Sequence, residues 1–191
     1  MELLCIATIA YIIGSVPTGY ILARRRGVDL FEVGSGNIGA TNVWRTLGPF
    51  FGTLALAGDV SKGAVAVYLG SHAGHWHAVV AGACVLAGHS WSLFLRFRGG
   101  KMIATALGVF LVLAPKAALC TLGVWAAVLA LCRYVSLASI TAAAGLPVLI
   151  AVFGYPWSYT LFAALAALVA IYKHRSNIRR LLDGTEHRIG R

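Results

Sequence analysis

Residues 3–23 read LLCIATIAYIIGSVPTGYILA, a run of 21 residues without a charged side chain. A transmembrane helix needs about 20 predominantly apolar residues, so this run is long enough to cross a bilayer. No basic segment precedes it, and we therefore interpret it as a membrane span and not as a cleaved signal peptide. The run predicts an all-α fold whose helices cross a membrane.

The composition of the whole chain agrees with this interpretation. Of the 191 residues, 59% are hydrophobic and only 12% are charged, and the mean hydropathy is +0.81. Because a soluble domain is typically about a quarter charged, we predict one integral-membrane domain over residues 1–191. The net charge of +10 could by itself indicate nucleic-acid binding. The basic residues are divided among short loops, however, so we expect anionic membrane lipid as their partner and no nucleic acid.

Six further apolar segments follow, at residues 49–70, 76–95, 102–114, 117–132, 134–152 and 156–172. Segment 102–114 is short for a span, which leaves two topologies open: seven spans, or five spans plus a hairpin that re-enters from the inner face. With the N-terminus outside, seven spans place all but two of the 16 lysines and arginines on the inner side or in the tail that follows the last span. We therefore predict a polytopic protein with seven transmembrane helices and a cytoplasmic C-terminus.

The loop after the first span contains the stretch 34–42, which reads GSGNIGATN. Its glycines allow positive φ and close approach of a ligand to backbone N–H groups, as in anion-binding loops before helices. The three glycines are Gly34, Gly36 and Gly39. The potential side-chain donors are Ser35, Asn37, Thr41 and Asn42. With the planar cation of Arg45 nearby, the stretch predicts a phosphate cradle, and a turn that merely connects two helices is the alternative.

Two further segments carry groups suited to an anion. Gly99 and Gly100 precede a predicted helix with Lys101 in its first turn, which again favours anion binding at a helix start. His174 and Asn177 are three residues apart and therefore share a helical face, where His174 is a candidate general base or a candidate hydrogen-bond donor to a phosphate.

The remaining polar residues of the apolar segments have structural interpretations beside functional ones. Asp59 and Lys62 are three apart in an apolar helix and predict a buried ion pair, which is as consistent with a structural role as with a functional one. We interpret His89 as a hydrogen-bonded core histidine and Ser136 as a helix N-cap. Ser139 is a further candidate substrate ligand.

Several catalytic schemes are excluded by absent motifs. No His-x4-Asp pair occurs, nor a Gly-x-Ser-x-Gly elbow. A set of cations and hydrogen-bond donors without a catalytic triad suits a reaction whose acyl donor is already activated. A small anion transporter is the competing class, but it predicts related halves with broken helices at the midplane, and we find no repeat. A lipid-binding scaffold without catalysis is the third class.

Together these motifs resemble the bacterial acyl-phosphate:glycerol-3-phosphate acyltransferase family, the PlsY family. The first motif is the stretch 34–42 with Arg45. The second runs from Gly88 and His89 through residues 97–101 to Thr105. The third runs from His174 to residues 186–188, where we expect Glu186 to form a surface pair. There are two departures: Ser92 stands where the family usually has proline, and Met102-Ile103 replaces the usual Gly-Val.

The resemblance implies an enzyme of the bacterial cytoplasmic (inner) membrane, with its active site facing the cytoplasm. It would transfer a fatty acyl group from acyl phosphate to the 1-hydroxyl of glycerol 3-phosphate, without a metal or other cofactor, giving lysophosphatidic acid for phospholipid biosynthesis. The stretch 34–42 would hold the phosphate of acyl phosphate. The residues that would hold glycerol 3-phosphate and the reaction centre are Arg45, Lys101, His174 and Asn177, with Ser139 as a further candidate. Gly99 and Gly100 would also bind substrate.

Overall fold

The computed structural model describes residues 1–190, and every regular element within them is helical. The chain forms two compact units, Met1–Val112 and Leu113–Arg191. The first unit contains α1 (Glu2–Ser15), α2 (Thr18–Arg24), α3 (Ala40–Leu47), α4 (Pro49–Ser71), α5 (His75–Ser90) and α6 (Ile103–Leu113). The second contains α7 (Pro115–Cys132), α8 (Val135–Val152), α9 (Trp157–Lys173) and α10 (Arg175–Leu182).

Several helices have the length and composition of membrane spans. Four qualify fully, namely Glu2–Arg24, which combines α1 and α2, and then α4, α7 and α8. Helices α6 and α9 are apolar but shorter. Large apolar side chains are exposed along these helices, among them Leu54, Leu119, Val148 and Leu165. Such side chains suit contact with lipid, and the chain is an integral membrane protein.

The first span is interrupted at Val16 and Pro17, which the uncharged run alone did not predict. Proline has no N–H and its ring clashes with the preceding turn, so α1 ends at Ser15 and α2 begins at Thr18. Other elements satisfy the carbonyls at this break. Lys62 donates to the Val16 carbonyl at 2.9 Å, and the Ser92 hydroxyl donates to the Ser15 carbonyl.

Glycines bring the helices of the first unit into backbone contact. A Cβ on Gly14 would collide with the backbone of Val85, which shows how closely α1 and α5 approach. A Cβ on Gly63 of α4 would collide with the backbone of Thr105 in α6. Small residues at such crossings are the usual means of close helix packing in membranes.

Helix α5 ends at Ser90, so the prediction that this segment continues to residue 95 was wrong. The chain instead makes a single 3-10 turn at Leu93–Leu95, and an isolated antiparallel bridge joins Ser92 to Arg98. Arg96 and Phe97 reverse the chain direction with φ of 52° and 60°. This reversal returns the following residues to the end of α5.

In the second unit, α8 packs against both α7 and α9. The connection from α7 to α8 passes through Arg133, which has a left-handed backbone with φ of 63°. Helices α9 and α10 are separated at His174. The tail returns to the α7–α8 connection, where the N–H of Ile189 donates to the carbonyl of Arg133 at 2.9 Å.

Candidate active site

Asn42 organises the glycine-rich loop from its centre. Its side-chain N–H groups donate to the carbonyls of Val33 at 3.1 Å and Asn37 at 2.9 Å, and more weakly to that of Leu30 at 3.4 Å. Its Oδ1 accepts the N–H of Ser35 at 2.9 Å. The side chain is 2% exposed. Asn42, predicted as a donor to phosphate, therefore directs its polar atoms to the loop that surrounds it.

Two of the three glycines of the loop have the positive φ that the sequence predicted, whereas Gly39 is extended with φ of −72°. Gly34 and Gly36 have φ of 59° and 65°, a region that other residues rarely adopt. Some N–H groups of the loop are used internally: that of Gly36 donates to the Val33 carbonyl and that of Gly39 to Oδ1 of Asn37. These two N–H groups are therefore already paired within the loop.

Helix α3 begins directly after the loop, at Ala40. The first N–H groups of a helix have no acceptor within it, so the start of α3 presents donors of the kind that bind phosphate. The side chains of Ser35 and Thr41 are exposed on either side of this start, and Arg45 follows one turn later, also exposed. On its other side the loop is anchored by buried apolar residues, including Ile38.

The second predicted segment lies at the end of α5. The N–H of Gly100 donates to the His89 carbonyl at 3.0 Å, and a Cβ on Gly100 would collide with the His89 ring. A Cβ on Gly99 would collide with the same carbonyl. Both glycines are therefore required by the close approach of the loop to His89.

Lys101 precedes α6. The prediction that it lies in the first turn of this helix was wrong. Met102 intervenes with φ of 57°, a left-handed conformation, and α6 begins at Ile103. The carbonyl of Met102 accepts the first helical hydrogen bond, from Ala106 at 2.7 Å. The buried Met102 side chain accepts the hydroxyl of Ser90 at its sulfur, at 3.3 Å.

The predicted ion pair of Asp59 and Lys62 is confirmed, with Nζ and Oδ1 separated by 2.8 Å in the buried part of α4. His89 is buried as predicted, and its Nδ1 lies 3.6 Å from the same Asp59 oxygen. These three side chains connect α4 to the end of α5.

His174 occupies the junction between α9 and α10 in the second unit. It is 4% exposed, and its Nδ1 lies 2.7 Å from the Ala170 carbonyl. Because a carbonyl can only accept, Nδ1 is the protonated nitrogen. In the neutral ring Nε2 is then the nitrogen able to accept a proton, which is the state that a general base requires.

Glu186 has a buried setting that the sequence did not reveal, and the prediction of a surface pair was wrong. Its buried carboxylate accepts hydrogen bonds from Ser136, Asn177 and Arg180, each at 2.7 Å. Burial raises the pKa of Glu186, but these donors and the Arg180 charge outweigh it and hold the pKa below its usual value. The spacing of an asparagine, an arginine and a glutamate in one motif was the available signal.

The two serines near the start of α8 have different partners. Ser136 was predicted as an N-cap, but α8 has no side-chain cap and the Ser136 hydroxyl binds Glu186 instead. Ser139 is buried, and its hydroxyl accepts the indole N–H of Trp125 at 3.2 Å. The Ser139 hydroxyl retains its own proton for donation to another group.

The predicted site residues thus fall into two groups. The first unit holds the glycine-rich loop with Arg45, and the loop of Gly99 to Lys101. The second holds Ser139, His174 and Asn177.

Apolar helices joined by polar, basic connections define an integral membrane protein. The chain belongs to the glycerol-3-phosphate acyltransferase family, whose model matches residues 4–184. The family resemblance inferred from the motifs is thereby confirmed.

Individual relatives resemble the chain over nearly its whole length. The glycerol-3-phosphate acyltransferase of Desulforudis audaxviator is 54% identical over 98% of this chain and 96% of its own. That of Carboxydothermus hydrogenoformans is 46% identical over 96% and 95%.

Two crystal structures of PlsY (YgiH), an integral membrane glycerol 3-phosphate acyltransferase, share the fold. The glycerol 3-phosphate form matches with a TM-score of 0.97 at 40% identity, covering 100% of this chain and 96% of that one. The lysophosphatidic acid form matches with a TM-score of 0.94 at 39% identity and the same coverage.

Proposed function

We propose that the protein transfers a fatty acyl group from acyl phosphate to the 1-hydroxyl of glycerol 3-phosphate, giving lysophosphatidic acid and phosphate. The observation that carries this proposal is the likeness, over the whole chain, to PlsY structures in a glycerol 3-phosphate form and a lysophosphatidic acid form. These two molecules are the acceptor and the product of the proposed reaction. Membership of the glycerol-3-phosphate acyltransferase family supports it.

Acyl phosphate is the donor that best suits the residues present. Phosphate leaves readily, so the carbonyl carbon can be attacked without a separate acid to protonate the leaving group. The sequence contains neither a His-x4-Asp pair nor a nucleophile elbow. Donors and cations then suffice, because catalysis consists mainly of positioning and electrostatic stabilisation.

In the first unit, the start of α3 with Ser35 and Thr41 binds the phosphate of acyl phosphate. Asn42, Asn37 and the three glycines give the preceding loop its shape. Both substrates carry phosphate and repel each other, most strongly where water is excluded. Arg45 and the loop of Gly99, Gly100 and Lys101 offset this repulsion and bind glycerol 3-phosphate.

In the second unit, His174, Asn177 and Ser139 serve the same reaction. The 1-hydroxyl oxygen attacks the acyl carbonyl carbon, the bond between that carbon and the phosphate oxygen breaks, and the hydroxyl proton is taken up. Two groups can accept this proton, namely Nε2 of His174 and an oxygen of the leaving phosphate. Glu186 supports the reaction indirectly, by fixing Asn177.

His174→Asn distinguishes the two proton acceptors. The asparagine amide can still donate to the Ala170 carbonyl but offers no basic nitrogen. A fall in kcat of about 100-fold or more, with a changed pH profile, would assign the proton to His174. Nearly full kcat with an unchanged profile would rule His174 out as base.

We further propose seven crossings of the bacterial inner membrane, with the N-terminus outside and the active site at the cytoplasmic face. The distribution of lysine and arginine supports this arrangement. Single cysteines placed at residue 75 and at residue 187 of a cysteine-free variant test it. A membrane-impermeant thiol reagent should label the first from outside intact cells and the second only after lysis; the reverse result would overturn the orientation.

The activity itself is tested with purified protein in detergent and radiolabelled glycerol 3-phosphate. Acyl phosphate, acyl-CoA and acyl carrier protein are compared as donors, and we expect lysophosphatidic acid only with acyl phosphate. Lys101→Gln serves as the matched impaired variant, and we expect it to raise KM for glycerol 3-phosphate while product remains measurable. Product with acyl-CoA alone would refute the proposed donor, and no product with any donor would refute the enzyme.

A further inference from the structure

A network of three buried side chains joins helices α4 and α5. Asp59 binds Lys62 at 2.8 Å, and its same oxygen lies 3.6 Å from Nδ1 of His89. All three side chains are buried. Ionisable groups inside a membrane protein are costly and are retained chiefly where they serve function.

One end of this network is attached to the interruption of the first span. Lys62 donates to the Val16 carbonyl at 2.9 Å, so its ammonium is fixed by a carboxylate and a backbone acceptor together. Pro17 ends α1 immediately beyond Val16. The position of Asp59 along α4 is thereby tied to a third element, α1.

The other end of the network lies against the loop proposed to bind glycerol 3-phosphate. The His89 carbonyl accepts the N–H of Gly100 at 3.0 Å, and the His89 ring occupies the space that a Gly100 side chain would need. A Cβ on Gly99 would collide with the same carbonyl. His89 therefore contacts Gly100 with both its backbone and its ring, and Gly100 is the residue immediately before Lys101.

We propose that Asp59, Lys62 and His89 position the Gly99–Gly100–Lys101 loop for the phosphate of glycerol 3-phosphate. Lys62 holds the Asp59 carboxylate through their ion pair, and Asp59 orients the His89 ring. The ring in turn packs against Gly100 and limits where the loop can lie. This inference rests on the role proposed above for Lys101 and its two glycines. It makes the three residues positioning residues, acting through the loop and not on the reacting atoms.

Two variants remove the network in different ways. His89→Ala removes the ring that packs against Gly100. Asp59→Asn alone would leave the Lys62 charge buried without its partner and could prevent folding, so it is combined with Lys62→Met, which removes both charges at once. For each variant we expect KM for glycerol 3-phosphate to rise about tenfold, while KM for acyl phosphate stays within about twofold.

Gly70→Ala is the matched control. It lies at the opposite end of the same helix pair, where a Cβ would be 2.8 Å from Ala81 and would push α4 and α5 apart. It therefore lowers the melting temperature without touching the loop. We expect its KM for glycerol 3-phosphate to be unchanged at a comparable loss of melting temperature.

Lys101→Gln separates failure of the inference from failure of the proposed site. If the network acts through the loop, the double variant His89→Ala/Lys101→Gln has the same KM as Lys101→Gln alone. Wild-type kinetics of Lys101→Gln would overturn the role given to that lysine. An impaired Lys101→Gln beside a His89→Ala variant that only loses melting temperature, as Gly70→Ala does, would overturn the network. A His89→Ala variant with a changed pH profile and unchanged KM would assign His89 to proton transfer and also overturn it.

Discussion

The side-chain amide of Asn177 donates to Oε1 of Glu186 at 2.7 Å, and the same oxygen accepts the hydroxyl of Ser136. Both residues of the first pair are buried. The second carboxylate oxygen binds Arg180, also at 2.7 Å. One carboxylate thus holds the start of α8, helix α10 and the tail together, and it fixes the orientation of the proposed substrate ligand Asn177.

Replacing this carboxylate should reduce both stability and activity. Glu186→Gln removes a negative charge from three donors, and we expect a loss of about 2 kcal/mol in the free energy of unfolding at neutral pH. The kcat should fall because the Asn177 amide loses its fixed acceptor. Thermal unfolding in detergent and steady-state kinetics measure the two effects. Asp183→Asn is the control, since its pair with Arg179 spans 3.9 Å at an exposed site and should change neither.

The pH dependence of stability has a defined sign. The pKa of Glu186 is lower in the folded protein than in the unfolded chain, because its hydrogen bonds outweigh burial. Its contribution is therefore fully present above the unfolded pKa of about 4.3 and is lost as the pH falls through the folded value. The melting temperatures of the wild type and Glu186→Gln should converge below that pH. A constant difference between them down to the lowest pH would contradict the assignment.

Gly34→Ala and Gly27→Ala form a pair that isolates the role of Asn42. Both glycines have positive φ, 59° and 75°, so alanine costs about 1 kcal/mol of backbone strain at either. A Cβ on Gly34 would also collide with Oδ1 of Asn42, whereas Gly27 has open space around it. We expect Gly27→Ala to keep its activity and Gly34→Ala to raise KM for acyl phosphate. Equal kinetics of the two would contradict the role given to the loop.

Met102 should show an inverted preference between glycine and alanine. In a helix alanine is more stable than glycine by about 1 kcal/mol, but Met102 has φ of 57°. Both substitutions remove the same buried thioether, and only glycine also removes the strain. Met102→Gly should therefore be more stable than Met102→Ala by about 1 kcal/mol, as measured by thermal unfolding. The opposite order would show that this backbone is not left-handed.

Ser92 makes two hydrogen bonds that a proline at the same position would lack. Its N–H donates to the Arg98 carbonyl at 3.3 Å, and its hydroxyl donates to the Ser15 carbonyl at the break of the first span. Ser92→Ala loses only the hydroxyl bond, at about 1 kcal/mol. Ser92→Pro loses both bonds and should be less stable than Ser92→Ala, although the φ of −67° suits proline. Equal stability of the two would show that the Arg98 bond contributes nothing.

Much of the fold was predictable because apolar length alone determines which segments cross a membrane. The segments found between charged loops correspond to helices, and the Asp59–Lys62 pair followed from a spacing of three. The structure differs from the sequence-based predictions where contacts between residues far apart in the chain determine the local conformation. Whether the helix ends at Ser90 depends on the bridge from Ser92 to Arg98, and the spacing of apolar residues in the sequence does not indicate such a bridge. Glu186 is polar and near the C-terminus, so only its three donors from separate elements explain its burial.

The sequence allowed us to predict which residue types form the candidate site, but not which contacts each side chain makes. Glycine and small polar residues indicated an anion site, which stays a prediction, and the structure adds that α3 begins directly after the loop at Ala40. A sequence pattern cannot show, however, that Asn42 directs its side chain to the loop backbone, because an amide serves equally well as ligand donor and as internal support.

The bond from Lys62 to the Val16 carbonyl has a consequence for biogenesis. Val16 precedes Lys62 by 46 residues, so the acceptor at the interrupted helix leaves the ribosome before the lysine does. Asp59 is synthesised three residues ahead of Lys62 and is also available when the lysine enters the translocation machinery. Both partners of the Lys62 ammonium, the Asp59 carboxylate and the Val16 carbonyl, are therefore made before it, and we expect α4 to insert less efficiently when the first span is deleted.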